Sequence, residues 1–343
     1  MILSRFLGHG TRVALDLGNN NTVLTDAKNL PFSAPSFVAL NKSSKSAQAV
    51  GQDAYEMQGK IGAGVKIVKP LKGGIIADYE AASMMLGMLM RNAYPKRGLF
   101  DKFDQLICGI PYASTDVERR ALRDALEQFK SRSTTLIYEP IAAAIGMGLN
   151  VQEPNGKFMV DVGGGITEIA LISLSGIVTH RAVKVAGDTF DYEIQDYFKR
   201  KFNVAIGLKQ AEQLKIKTGA AFTSIVEVPE PACVAGKDIS TGVPKLIEVG
   251  PMEIANILND SVIKIEDAIL QTLEECPPEL SGDIYTNGIY LTGGSSLLRG
   301  LRERLAARIN IPIHQDPNAL FSVLNGIAGV LRVPQAHKAV LFK

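Results

Sequence analysis

Short apolar runs alternate with longer amphipathic segments along the chain, a pattern that predicts an α/β fold. In the first half, the predicted strands and helices lie at 13–15, 22–25, 78–92, 106–110, 115–129, 134–138 and 141–147. Thr115 and Glu118 fit a capping box, and Val117 is expected on the buried face of the helix that they begin. Residues 29–74 lack a regular period and predict a small inserted subdomain.

The second half of the chain repeats this alternation. Its predicted strands and helices lie at 158–160, 169–173, 188–202, 208–218, 251–275 and 289–291, and a further helix is expected to begin near Leu297. Residues 222–250 alternate between apolar and polar side chains, which predicts a small antiparallel insertion. With 343 residues, the chain is too long for one ordinary hydrophobic core and fits two domains.

A short polar pattern occurs twice, each time directly after an apolar run. The segment Asp16-Leu17-Gly18-Asn19-Asn20-Asn21-Thr22 returns in altered form as Asp161-Val162-Gly163-Gly164-Gly165-Ile166-Thr167, 145 residues further along the chain. Each copy has an acid, an aliphatic residue and a glycine, and then a threonine six places after the acid. The repeat predicts two similar lobes, each of which presents one strand-turn-strand loop to a shared cleft.

Both loops have the chemistry of a phosphate site. Glycine lets backbone N–H groups approach phosphate oxygens without obstruction by a Cβ atom, and the second loop has three glycines in a row. In the first loop Asn19, Asn20 and Asn21 can add side-chain amides. Asp16 and Asp161 end their strands, and carboxylates beside phosphates usually hold Mg²⁺. An ordinary hairpin turn explains one copy, but two equally spaced copies favour a polyphosphate held from both sides.

Three side chains are candidates for hydrolysis. Glu139 lies where a buried strand becomes a helix, directly before Pro140. It could stabilise the N-terminus of that helix or orient water for attack on a γ-phosphoryl group, and the two loops favour the second interpretation. Thr167 and Glu168 follow the second loop and could complete the water network. For Glu168, an ordinary strand position is the credible alternative.

A glycine pair near the C-terminal end is a candidate for nucleoside contact. Gly293-Gly294 with Ser295-Ser296 follows a predicted strand, which permits close approach of a base or ribose to the backbone, although a tight turn alone would also explain the pair. Gly187-Asp188, Glu212 and Lys215 could supply further ribose and base contacts. Exposed helix charges are the simpler interpretation of Glu212 and Lys215.

Composition excludes other classes. The chain has 37 Lys and Arg against 35 Asp and Glu, a net charge of +2 that gives no support to nucleic-acid binding. Cys108, Cys233 and Cys276 lie far apart and the four His are scattered, so no zinc site is expected and a reduced, cytosolic compartment fits. No apolar run is long enough to span a bilayer, and Arg5 interrupts the apolar residues 1–7, which do not fit a secretory signal.

Five segments carry a resemblance to a known family. They are DLGNNNT, LIYEPIAAAIGMGL, MVDVGGGITEIALISLSGIV, GLKQAEQLKIKTGAA and YLTGGSSLLRGL. Together they resemble the actin-like ATPase superfamily, and within it the MreB/Mbl family of bacterial actins, from about residue 12 to residue 330. The chain departs from the family pattern at Asn19 and Asn20, where Thr and Ala are usual, and at Ala186 and Ser295, which replace glycines.

The resemblance implies an actin-like ATPase fold with two similar lobes, or four subdomains, around a nucleotide cleft. The implied subdomains are IA at 1–32, 74–149 and 321–343, IB at 33–73, IIA at 150–185 and 251–320, and IIB at 186–250.

The resemblance also implies residue roles. Asp16–Thr22 and Asp161–Thr167 would be the phosphate loops that hold ATP or ADP with Mg²⁺, and Glu139 would be the catalytic carboxylate. The positions that match the family's ribose, adenine and adenosine contacts are Gly187, Asp188, Glu212, Lys215, Gly293 and Gly294.

The resemblance implies that the protein forms filaments, and the expected partners are those of a filament. The family implies a slow, Mg²⁺-dependent ATPase that polymerises into double protofilaments, in the cytoplasm and at the inner face of the cell membrane. A membrane-protein adaptor of the cell-wall synthesis machinery would connect these filaments to cell shape. No nucleic acid is expected as a partner.

Two apolar segments are candidates for membrane contact. The first segment comprises Ile2, Leu3, Phe6 and Leu7, which have the spacing of one helix face. The second comprises Leu99 and Phe100, which lie among basic residues. The family carries a membrane-inserting loop at the second place. A frayed tail and a surface turn are the simpler alternatives, and many copies on one filament would add avidity to weak single sites.

Other functions on the same fold stay open at this point. A non-polymerising small-molecule kinase would need a carboxylate base beside a substrate pocket, and no convincing second site is visible in the sequence. A DnaK-type chaperone would need a substrate-binding domain. A cell-division actin relative fits less well, because the residues between the first loop and Glu139 resemble the MreB subdomains.

Overall fold

The computed structural model describes residues 11–26, 28, 31–95, 102–221 and 228–342. The chain divides into two compact units, of which the first comprises Met1–Gly148 with Val323–Lys343 and the second comprises Leu149–Ser322. Among the described residues, no helix combines the length and the apolar character that a bilayer crossing requires.

The first unit contains ten strands and four helices before the chain enters the second unit, counted over the described residues. The strands are β1 (Arg12–Leu17), β2 (Asn21–Thr25), β3 (Phe32–Pro35), β4 (Val38–Asn41), β5 (Ala47–Val50), β6 (Val65–Val68), β7 (Leu71–Lys72), β8 (Ile75–Ile76), β9 (Gln105–Ile110) and β10 (Thr134–Tyr138). The helices are α1 (Gln52–Glu56), α2 (Tyr79–Ala93), α3 (Asp116–Glu127) and α4 (Glu139–Gly146).

The second unit has a matching set of elements. Its strands are β11 (Lys157–Val162), β12 (Thr167–Ser173), β13 (Gly176–Val183), β14 (Val204–Ala205), β15 (Ala232–Asp238), β16 (Pro244–Val249), β17 (Ile289–Thr292) and β18 (Ile313–Gln315). Its helices are α5 (Gly187–Phe202), α6 (Leu208–Thr218), α7 (Pro251–Glu274), α8 (Pro278–Asn287) and α9 (Leu301–Ile309), after which α10 (Ser322–Arg332) returns the chain to the first unit.

The main sheets of the two units have the same topology. In the first unit the strand order is β10-β9-β1-β2-β3, and in the second it is β18-β17-β11-β12-β13. β1 and β2 form an antiparallel hairpin, and so do β11 and β12. On the other side of β1, β9 runs parallel to it, and β17 runs parallel to β11 in the same way. The prediction of two similar lobes is therefore confirmed at the level of strand order and direction.

Both hairpins also share a register. Leu17 is opposite Thr22 in the first hairpin, and Val162 is opposite Thr167 in the second. The four residues between each pair form the loop. The repeated sequence pattern thus corresponds to the same turn built twice.

Each unit carries a small additional sheet. In the first unit β5-β4-β6 form it within the segment 29–74 predicted as an insertion, although β3 of that segment joins the main sheet. In the second, β15 and β16 form the antiparallel pair expected within 222–250, and β14, which precedes that range, extends it to three strands. The boundaries of four subdomains stay a prediction.

Apolar side chains from sheet and helices fill a separate core in each unit. The first core includes Leu15, Leu106 and the methionines Met85 and Met90 of α2, as expected for core-filling methionines. The second is built around Phe158 and Phe190. Because these cores fix the sheets, they also fix the loops at the strand ends.

Two local predictions were wrong. Val117 is 77% exposed, because it lies about 140° around α3 from the buried Leu122. No α-helix begins near Leu297: Gly294–Leu297 forms a 3-10 turn, and α9 begins only after Gly300, whose φ of 76° interrupts the helical backbone. By contrast, Thr115 and Glu118 form the predicted capping box.

Candidate nucleotide-binding loops

The loop of the first hairpin requires glycine at its first position. A Cβ atom on Gly18 would lie 2.8 Å from the carbonyl oxygen of Asn21. Ser36 Oγ donates a hydrogen bond to the Gly18 carbonyl over 2.7 Å and lies 2.9 Å from Thr22 Oγ1. Ser36, which directly follows β3, therefore contacts both ends of the loop and holds them in place.

Two asparagines connect this loop to the segment around β7. Asn19 is buried, and its Oδ1 accepts a hydrogen bond from the Gly74 N–H over 2.8 Å. Asn20 Oδ1 accepts one from Lys69 Nζ. These side-chain oxygens thus hold the loop in place, whereas Asn21 is exposed at the start of β2. That the three amides contact phosphate stays a prediction.

Asp16, Gly109 and Glu139 lie at the carboxyl ends of three adjacent strands. β1, β9 and β10 are parallel neighbours, and Glu139 directly follows the last of them as the first residue of α4. The carboxyl ends of strands in such sheets are the usual place for ligands. The structure therefore brings together the two carboxylates of the first unit that the sequence predicted as metal ligand and catalytic residue.

Burial and negative charge raise the pKa values of two groups at this edge. Burial raises the pKa of Asp16 to about 7. The pKa of the buried Cys108 thiol is raised well above its ordinary value, mainly by burial and further by the negative charges of Asp16 and Glu139. Both carboxylates therefore act on the same thiol. A nearby cation would offset the cost of burying the Asp16 charge.

Gly109 provides the space in which the Glu139 side chain lies. A Cβ atom on Gly109 would come within 3.2 Å of Glu139 Cγ, 3.3 Å of Val323 Cγ1 and 3.4 Å of Ile327 Cδ1. Gly109, Lys69 and Ser36 were not predicted from the sequence, since a glycine in a strand or a lone lysine or serine gives no signal without its neighbours.

The second loop has its carbonyl groups turned toward α5. Gly163 O accepts hydrogen bonds from the Gly187 N–H over 3.2 Å and from Ser295 Oγ over 2.7 Å. Gly164 O accepts one from the Asp188 N–H over 2.7 Å. In a planar trans peptide the next N–H points opposite to the carbonyl. The N–H groups of Gly164 and Gly165 therefore point away from α5, as an anion site requires.

Asp161 and Gly293 are adjacent at the carboxyl ends of β11 and β17, the equivalent edge of the second sheet. Asp161 is in register with Thr292, and a Cβ atom on Gly293 would overlap Asp161 Oδ1. With a φ of 88°, position 293 also favours glycine for its backbone. Position 294 also has little room for a side chain, because a Cβ atom added to Gly294 would lie 2.8 Å from Leu320 Cδ2.

Lys215 is buried, so it is not the exposed helix charge that the simpler interpretation assumed. Its Nζ lies 2.8 Å from Asp191 Oδ1 and donates a hydrogen bond to the Gly187 carbonyl over 3.0 Å. Burial raises the pKa of Asp191 to about 7, an effect that Lys215 lowers only in part. Glu212 lies half-buried one turn earlier on α6 and raises the pKa of Asp191 further. Asp191 was not predicted from the sequence.

Thr167 and Glu168 have protein partners. Thr167 is fully buried, and its Oγ1 donates to the Val185 carbonyl over 2.6 Å. Glu168 is buried too, and its Oε1 lies 3.0 Å from His180 Nε2 on the neighbouring strand. These contacts give both residues a structural role, and their part in a water network stays a prediction. The membrane candidates Ile2, Leu3, Phe6, Leu7, Leu99 and Phe100 lie outside the described residues.

Two sheets of identical topology, each with an acid-to-threonine hairpin loop, define the actin-like ATPase fold. The family model described as MreB/Mbl protein matches residues 10–339. The chain is 38% identical over 320 residues to the cell shape-determining protein Mbl of Bacillus subtilis, covering 93% of this chain and 95% of that protein. It is 36% identical over 347 residues to the cell shape-determining protein MreB of Escherichia coli, covering 99% of each. The chain belongs to the MreB/Mbl family.

Solved structures agree with this assignment. The crystal structure of MreB5 of Spiroplasma citri bound to AMPPNP has a TM-score of 0.89 and 32% identity, covering 96% of this chain and 98% of that one. The same protein bound to ADP gives a TM-score of 0.88 at 32% identity, with the same coverage.

Proposed function

We propose that this protein is an ATP-dependent, filament-forming actin-like protein of the bacterial cytoskeleton that takes part in determining cell shape. The observation that carries the proposal is the hairpin loop built twice in the same register, with Asp16 and Asp161 at equivalent positions. Membership of the MreB/Mbl family supports it, because the relatives from Bacillus subtilis and Escherichia coli are named cell shape-determining proteins.

The residues of both loops fit a nucleotide. Gly18, Gly187 and Gly293 all stand where a Cβ atom would collide with neighbouring protein atoms, so the backbone of these turns requires glycine. The N–H groups of Gly164 and Gly165 point away from the hydrogen-bonded side of their loop. Such a backbone suits phosphate oxygens. MreB5 of Spiroplasma citri, which binds AMPPNP and ADP, supports an adenine nucleotide as the ligand.

Asp16 and Asp161 fit Mg²⁺ held together with phosphate. Burial raises the pKa of the Asp16 carboxyl to about 7, and a cation bound beside it would favour its charged form. Mg²⁺ is commonly bound through one or two carboxylates and the phosphates of its nucleotide. When bound, the ion supplies charge neutralisation at the phosphate oxygens.

Glu139 orients the attacking water in this mechanism. Glu139 is the first residue of α4, at the carboxyl ends of the parallel strands of the first sheet. Its side chain occupies the space that Gly109 leaves free. There it can accept a proton from water as the γ-phosphoryl group is transferred. Thr167 and Glu168 are the further members of the water network. The nucleoside side of the site comprises Gly187, Asp188, Glu212, Lys215, Gly293 and Gly294.

Polymerisation links this chemistry to cell shape. ATP would favour the polymerising conformation, and hydrolysis would return the chain to the other. The filaments would be double protofilaments at the inner face of the cell membrane. A membrane-protein adaptor of the wall-synthesis machinery would hold them there, together with the apolar residues Ile2, Leu3, Phe6, Leu7, Leu99 and Phe100. Many weak membrane contacts along one filament add avidity.

Light scattering with ATP and Mg²⁺, followed by negative-stain microscopy, tests the proposal. We expect scattering to rise with ATP and Mg²⁺ and filaments to appear in pairs, whereas the Asp16→Ala variant gives neither. Phosphorylation of a small molecule without assembly would instead indicate a kinase on the same fold.

A further inference from the structure

Three chain segments of the second unit meet at the side chain of Ser295. Its Oγ donates a hydrogen bond to the Gly163 carbonyl over 2.7 Å. The same Oγ lies 2.5 Å from the place where a Cβ atom on Gly187 would stand. The second loop, the start of α5 and the turn after β17 are therefore in contact through one hydroxyl group.

We infer that Ser295 is a positioning residue, whose hydroxyl fixes the orientation of the Gly163–Gly164 peptide that the phosphates require. This inference rests on the proposed nucleotide site. It assigns Ser295 to the loop rather than to the nucleoside, where the sequence analysis placed it.

The hydrogen-bond inventory of Ser295 supports the assignment. A serine hydroxyl has one hydrogen to donate, and here the Gly163 carbonyl receives it. Ser295 therefore has no second hydrogen for a ribose or a base. A carbonyl oxygen has two lone pairs, and at Gly163 the two donors are Ser295 Oγ and the Gly187 N–H, the latter at the longer distance of 3.2 Å.

The orientation matters because a peptide presents its carbonyl and its N–H on opposite sides. With Gly163 O bound to Ser295, the Gly164 N–H points to the other side of the loop. If the hydroxyl is removed, one bond of 3.2 Å alone holds this carbonyl. Glycine has no Cβ atom to limit rotation, so the peptide can then turn and present its oxygen to the phosphate.

Gly187 is the necessary partner of Ser295. A Cβ atom there would overlap the serine Oγ and would lie 3.3 Å from Lys215 Nζ. The two positions are therefore sterically coupled, and a side chain at 187 is tolerated better when the hydroxyl at 295 is absent.

The first experiment compares nucleotides that differ in their phosphates. Affinities for ATP, ADP and adenosine are measured by competition against a fluorescent ATP analogue, for wild type and Ser295→Ala. We expect the variant to lose about tenfold in affinity for ATP and ADP, the effect of one hydrogen bond to a loop that binds charge, and to keep its affinity for adenosine. Equal losses for adenosine and ATP, or no loss for ATP, would overturn the inference.

Ser173→Ala is the matched control. Ser173 Oγ also donates to a backbone carbonyl over 2.7 Å, that of Pro154, but at the end of β12 remote from the loop. We expect this variant to bind all three ligands as wild type does. A loss of ATP affinity equal to that of Ser295→Ala would mean that general destabilisation explains both.

A double-mutant cycle tests the contact with Gly187. Gly187→Ala should weaken ATP binding through its clash, and the Gly187→Ala/Ser295→Ala double variant should bind ATP more tightly than the sum of the single effects predicts. Additive effects would contradict the steric coupling.

Amide exchange in the nucleotide-free protein separates this inference from the proposed function. The Gly187 and Asp188 N–H groups are bound to the carbonyls of Gly163 and Gly164. In Ser295→Ala we expect both amides to exchange faster, and in Ser173→Ala at the wild-type rate. If wild type bound no nucleotide, the proposed function would fail while this readout still decided the role of Ser295: unchanged exchange would overturn it.

Discussion

Asp16 and Asp161 occupy the same register position in two hairpins that lie in different units of the chain. Each directly precedes the aliphatic residue that pairs with the loop threonine, Thr22 in one hairpin and Thr167 in the other. Each also lies on the strand that joins its hairpin to a parallel neighbour. The equivalence extends from sequence to sheet topology, and it supports the proposal that both acids act on a bound nucleotide.

Removal of the Glu139 carboxylate should separate ATP binding from hydrolysis. Glu139→Ala removes the group proposed to orient water, so we expect phosphate release to fall by about 10²-fold or more, with little change in ATP affinity. Phosphate release and equilibrium ATP binding are measured on the same preparation. Glu80→Ala is the control, since Glu80 is an exposed first-turn glutamate of α2. Unchanged hydrolysis in Glu139→Ala would remove this residue from the mechanism.

A methyl group at position 109 should impair hydrolysis because it displaces the Glu139 side chain. The Cβ atom of Gly109→Ala would lie 3.2 Å from Glu139 Cγ, closer than ordinary packing, so the glutamate must shift. We expect kcat to fall about tenfold with the ATP affinity nearly unchanged. Gly62→Ala serves as control, because a Cβ atom there meets nothing within 4 Å. A variant with wild-type kcat would show that the position of Glu139 tolerates this displacement.

Asp191 should make stability depend on pH. Burial raises its pKa to about 7, whereas the unfolded chain releases this proton near the ordinary value of 3.8. The folded state thus holds an extra proton between these values. The free energy of unfolding of wild type, relative to Asp191→Asn, should therefore decrease as pH rises toward about 7 and then stay level.

The expected slope below pH 7 is at most about 1.4 kcal/mol per pH unit. Urea denaturation of both proteins at about pH 5.5, 6.5, 7.5 and 8.5 measures it. A difference between the two proteins that is constant over this range would contradict the assignment of the raised pKa to Asp191.

Membrane binding is predicted to depend on residues outside the described part of the chain. A variant with Phe6, Leu7, Leu99 and Phe100 changed to Ser should no longer co-sediment with liposomes, because the apolar side chains that enter the bilayer are gone. The control variant changes Leu174 and Val333, two exposed apolar residues elsewhere, to Ser. Pelleting of the first variant at the wild-type level would reject both segments as membrane contacts.

Local chemistry explains which elements were predictable from the sequence. Thr115 and Glu118 lie three residues apart, so the capping box and the helix that it begins could be identified from the letters alone. The two hairpins were predictable for the same reason, since the Asp-to-Thr pattern spans one turn. Val117 was misplaced because an apolar residue in a first turn does not by itself indicate which face is buried.

Contacts between distant segments were not predictable in this way. Asn20 meets Lys69, Lys215 meets Asp191, and Ser295 reaches back to the second loop, all through folding that brings remote residues together. The sequence identified Lys215 as a site residue by resemblance and Ser295 through the glycine pair that it follows. Only the structure provides the partners that determine what each can do.

Equilibrium binding of ATP in the presence of Mg²⁺, measured by isothermal titration calorimetry, tests the central claim most directly. If both hairpins hold one nucleotide, wild type binds about one ATP per chain, and Asp16→Ala and Asp161→Ala each weaken that same binding event by about tenfold or more. Binding of two ATP molecules per chain, or of none, would contradict a single nucleotide site built from the two loops.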